Sequence, residues 1–178
     1  MPTVALPLHA PVATASTTSP GYDLVLLAHV LAAVVGLVAI GVAAGSALAL
    51  RGVLARGAPV PDALARYYRP GVNWAGRVLF LVPVFGVALL AMSGGTWDFG
   101  DTWVSLGMAG WALAAVAAES VLWPAERRLQ EVVAAVVAGD GSAPPDPGAA
   151  ARCSRTAAVG LGLVVVLVLV GVLMVAKP

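Results

Sequence analysis

The chain has little charge: Asp, Glu, Lys and Arg make up 11% of its 178 residues, against about a quarter in an ordinary soluble domain. That depletion excludes a freely soluble binding module. The net charge of +1 gives no electrostatic reason to expect a nucleic-acid partner. Cysteine occurs once, at Cys153, so no intrachain disulfide can form. A redox-sensing thiol needs a site that stabilises the thiolate, and Cys153 reads instead as a passive thiol near a helix end. There is no phosphate-cradling glycine loop, no zinc-ligand spacing and no Ser–His–Asp set. The first twenty residues, Met1–Pro20, contain no Lys or Arg and no continuous apolar core. They lack the parts of a secretory signal and read as a disordered tail, with His9 solvated in it.

What the chain does have is long apolar runs, with 60% hydrophobic residues overall. About 20 apolar residues cross the hydrocarbon of a bilayer as a helix. Four stretches meet that need: about 22–50, 72–92, 102–123 and 156–176. Residues 21–178 therefore read as one all-α membrane domain, a four-helix up-and-down bundle. The first run is patterned. His29, Ala32, Gly36, Ala39, Ala43 and Ser46 share a face, and small residues at that spacing let membrane helices approach closely. The GVAAG of Gly41–Gly45 is a helix-packing pattern of the same kind. Pro83 and Gly86 lie mid-way along the second run, where a kink is expected because proline removes a backbone donor. Between the runs, Pro61–Arg69 predicts a short surface helix with Tyr67 and Tyr68 at headgroup level. Ser93–Asp101 reads as a tight acidic loop. The AERRLQEVVAAVVAG stretch after Pro124 reads as a helix leaving the membrane or lying on it, and Asp140–Ala151 as a flexible loop.

Nine of the ten Lys and Arg residues lie in or beside the first and third connections, Lys177 being the exception. Lys and Arg in short loops stay cytoplasmic, so both termini are expected outside. Trp97 and Trp103 would mark the outer interface, Trp74 and Trp123 the inner one.

Ionisable side chains in hydrocarbon are costly and call for a reason. Three candidates stand out: His29, Arg77 and Glu119. Arg77 and Glu119 fall at similar depth near the inner ends of neighbouring antiparallel runs, which points to a structural ion pair, with a proton relay as the sharper reading. His29 lies about two turns below the outer surface. Its imidazole is expected to hydrogen-bond across the bundle, to Ser105 or to a backbone carbonyl. The alternative is a metal or haem ligand. Met108 falls at similar depth and is the candidate second axial ligand to haem. Met108, Met92 and Met174, with His29, would make an outer layer of soft donors suited to Cu(I), although methionine also fills irregular gaps.

The LLAHVLAAVVG run around His29, the WDFGDTW loop and the closing LMVAKP resemble bacterial predicted integral membrane proteins classed as domain of unknown function 2269. The resemblance runs from about Tyr22 to the C-terminus and implies a four-helix bacterial membrane protein with no assigned activity. A more distant similarity is to the membrane domain of copper-resistance D-type proteins. This chain departs there, with AHV in place of LHV and without the extra histidines, which argues against copper transport. The reading is a structural or accessory component of the bacterial cytoplasmic membrane rather than an enzyme, in contact with lipid and with a second copy or a partner membrane protein. The alternatives are a metal- or haem-associated redox or transport protein centred on His29, and a proton-coupled transporter using Glu119.

Overall fold

The computed structural model describes residues 17, 19–139 and 148–176. Most of the tail read over residues 1–20, most of the loop read over 140–151, and Lys177 lie outside them. Among the described residues every regular element is helical. Four helices are long and apolar enough to cross a membrane: α1 (Pro20–Ala55), α3 (Trp74–Met92), α4 (Thr102–Ala138) and α5 (Ala149–Ala176). A short helix, α2 (Asp62–Tyr67), lies in the first connection.

Local signals set the ends of α1. Ser19 Oγ accepts from the Tyr22 amide at 3.2 Å. Pro20 sits in the first turn, where its missing donor costs nothing, and Asp23 favours the helix N-terminus. Beyond Arg56 the chain turns through Gly57, whose φ of 59° is left-handed backbone that glycine adopts without strain.

Glycines fix the antiparallel register. A Cβ on Gly160 of α5 would sit 2.9 Å from the Ala44 Cβ of α1, and one on Gly36 of α1 would sit 3.2 Å from the Leu79 backbone of α3. Gly107 and Gly110 of α4 face Met174 and Val170 of α5. The small face of α1 is thus spent inside the chain: Ala32, Gly36, Ala39, Ala43, Ala44 and Ala47 are buried. Against lipid there is no hydrophobic drive for helices to associate, so this close van der Waals packing has to hold them. Helices α3 and α4 have no comparable backbone seam; long side chains bridge them instead.

The two connected apolar helices α3 and α4 also depart from ideal geometry. Residues Val78–Phe80 form a 3₁₀ turn in α3, so the irregularity lies before Pro83 rather than at it. A π turn over Ala118–Leu122 carries α4 through to Ala138 without a break. It precedes Pro124, which cannot donate to Ser120.

The helices have unequal length. The 19 residues of α3 rise about 28 Å, close to the hydrocarbon thickness. The 36, 37 and 28 residues of α1, α4 and α5 rise about 54, 55 and 42 Å. Since Met92 packs at Gly21 and Met174 at Gly107, the ends of the helices on that side are level and the excess projects at the opposite, arginine-rich end. Two cores follow. One, of Ile40, Leu79, Ala114, Ala118, Leu122, Trp123 and Leu163, lies along the spans. The other, of Ala47, Leu50, Tyr68, Leu129, Val133, Cys153 and Ala157, lies in the projection. There α3 has ended, and Tyr68 occupies the fourth corner. Tyr68 is therefore a core residue, 1% exposed, not the headgroup anchor that the sequence predicts.

This packing predicts a ranking. Gly160→Ala meets the Ala44 backbone and should destabilise the protein by about 1–3 kcal/mol. Gly171→Ala, with nothing within 4 Å of its Cβ position, should cost nothing. Thermal unfolding in detergent measures both.

Candidate functional site

His29, Trp111, Arg77 and Glu119 within the spans are each engaged by a neighbouring helix. His29 of α1 has its Nδ1 2.9 Å from the Val82 carbonyl of α3. A carbonyl only accepts, so Nδ1 carries a proton, and in the neutral ring Nε2 then keeps its lone pair. The ring fits there because residue 86 is glycine: a Cβ would stand 3.3 Å from the imidazole Cε1. Ser105 is engaged elsewhere, its hydroxyl donating to the Phe99 carbonyl at 2.6 Å.

One bond depends on a proline. Pro83 has no amide hydrogen to give the Leu79 carbonyl, its helical partner four residues back. The Trp111 indole of α4 donates to that carbonyl instead, at 3.0 Å. Trp111 also packs edge-on against Phe80, 6.2 Å between ring centroids, and Phe80 in turn against Trp123 at 5.8 Å. Below these rings the Arg77 guanidinium pairs with the Glu119 carboxylate and lies 3.8 Å over the Trp123 ring. Gly76 leaves room for that indole. Together these contacts close the α3–α4 side of the bundle.

The methionines are spread over different seams. Met92 packs at Gly21, which is eight residues, about 12 Å, from His29 toward the start of α1. Met174 reaches across to α4 at Gly107. Met108 is half-buried on α4. Among the described residues no group of three or more His, Cys, Asp or Glu side chains could hold a metal ion.

A second polar cluster lies in the projection. The Glu126 carboxylate, on a buried residue, accepts from the Tyr67 hydroxyl at 2.6 Å and from Asn73 Nδ2 at 3.3 Å. Asn73 also caps the start of α3 through the Gly76 amide. One turn along α4, Gln130 donates to the Gly71 carbonyl at 3.3 Å. The buried Tyr68 hydroxyl has no hydrogen-bond partner among the described residues. Its ring meets Tyr67 edge-on at 4.9 Å. Burial pushes the Tyr67 phenol above its ordinary range, with Glu126 adding to the shift. Burial likewise raises Tyr68, with Cys153 and Glu126 adding.

Sequence reasoning missed Glu126, Tyr68 and Trp111 as structural polar groups. Two signals were there to find them. Glu126 follows Glu119 by seven residues, with Leu122, Leu129 and Val133 on the same face at helical steps. A proline inside a span frees the carbonyl four residues before it, so a donor at similar depth, such as Trp111, is its natural partner.

The coupling between Pro83 and Trp111 is measurable. Trp111→Phe orphans the Leu79 carbonyl in hydrocarbon and should cost about 1–3 kcal/mol. In a Pro83→Ala background the restored amide can satisfy that carbonyl, so the same change should cost less. A double-mutant cycle on thermal stability reads the difference.

No curated protein and no solved structure matches this chain. Residues 23–178 match a family described as predicted integral membrane protein, domain of unknown function 2269. A match over all four spanning helices makes the chain a member of that family of integral membrane proteins.

Proposed function

We propose that this protein is an accessory component of a bacterial cytoplasmic membrane, working by contact with another membrane protein or a second copy of itself rather than by catalysis. The observation that carries this reading is how the polar groups within the spans are used. His29, Trp111 and the Arg77–Glu119 pair each link two helices, so they act as fasteners of the bundle. Much of the outward face is aliphatic, including Val84, Leu113, Val116 and Leu169, a surface suited to lipid and to partner helices.

A second reading has one observation in its favour. An imidazole whose Nδ1–H is held by a backbone carbonyl presents Nε2 as a ligand would. His29 could bind copper or haem iron in that way. An absorption spectrum with elemental analysis on the detergent-purified protein separates the two. The accessory role predicts a metal-free spectrum, and a His29→Ala variant that loses stability only. A Soret band or stoichiometric copper that disappears in His29→Ala would replace the accessory role with the ligand one.

In this reading the arginine-rich end is cytoplasmic and both termini lie outside, by the distribution of Arg in the connections. A reporter fused after Pro178 should be active only if it is on the outer side. A cytoplasmic signal would reverse the orientation.

A further inference from the structure

The first connection is built as a detachable piece. Helix α2 has six residues, no side-chain cap at its start and no buried residue of its own. It is flanked by Pro59, Pro61 and Pro70, and the chain enters it after left-handed Gly57. Yet the residue that follows it, Tyr68, is inserted among α1, α4 and α5. It packs there with Leu50, Leu129, Val133 and Cys153. Two polar bonds strap this segment to α4: Tyr67 to Glu126 and Gln130 to the Gly71 carbonyl. One group works against docking. Among the described residues the buried Tyr68 hydroxyl has no partner, a cost that vanishes as soon as the segment lifts into water.

We propose that α2 and the Tyr67–Tyr68 pair form a hinged cover over the projecting three-helix core, and that local opening of this cover is the route by which Cys153 becomes reachable. The thiol is fully buried when the cover is closed. Tyr67 holds the cover shut and the Tyr68 hydroxyl biases it open. The two neighbouring tyrosines therefore have opposite roles, which a structural plug without an open state would not produce.

The chain supplies its own probe, since Cys153 is the sole cysteine. The full-length protein in detergent is treated with a water-soluble maleimide and the labelling rate is compared with that of the denatured chain. Wild type should label far more slowly than the denatured chain. Tyr67→Phe should raise the rate roughly tenfold or more, and Tyr68→Phe should lower it by a similar factor. Gln130→Ala, which cuts the second strap, should raise it and decides the matter if Tyr67→Phe does not fold. Leu79→Ala, in the other core, should lower the thermal midpoint without raising the rate. Three results would overturn the cover: both tyrosine variants shifting in one direction, neither shifting, or rates that follow the thermal midpoint across all four variants.

Discussion

Hydrocarbon offers no hydrogen bonds, so every polar group placed in it must find its partner inside the protein. The architecture of this chain follows from that constraint. Pro83 withholds an amide hydrogen, which leaves the Leu79 carbonyl free and gives the Trp111 indole something to bind. Gly86 removes a side chain, which lets the His29 ring reach the Val82 carbonyl. Arg77 and Glu119 neutralise each other beside Trp123. Pro83 and Gly86 in α3 are each met by a polar side chain from another helix.

Two ways of joining helices divide the bundle. On the α1–α5, α1–α3 and α4–α5 seams, glycine and alanine bring backbones close, and dispersion does the rest. On the α3–α4 side there is no such seam, and aromatic rings with one ion pair fill the space. The second mode is directional. It depends on a few named groups, and the loss of one leaves a polar atom stranded. The first is spread over many small contacts and tolerates change wherever a side chain can shift.

The four spans and the all-helical class were legible because apolar run length is a direct consequence of bilayer thickness. The buried small face of α1 was legible for a related reason, since residues at helical spacing share a side. Tyr68 was not. A tyrosine pair in a polar connection suits the membrane interface, and only the unequal helix lengths show that the connection must fill a missing corner. Glu126 was hidden by its neighbours. Flanked by Arg127 and Arg128 it looks like a solvated face, yet it points inward to Tyr67 and Asn73. The orientation rests on charge distribution alone, and the reach of the arginine-rich end on the unequal helix lengths.

The central claim is that the polar groups within the spans are fasteners, and His29 tests it most directly. Magic-angle-spinning NMR of the protein in lipid, with ¹⁵N-labelled histidine and His9→Gln to remove the second signal, reports which ring nitrogen carries hydrogen. The account predicts a protonated Nδ1 and a bare Nε2, with a spectrum unchanged on adding Cu(I). A proton on Nε2, or an Nε2 resonance that moves stoichiometrically with copper, would contradict it.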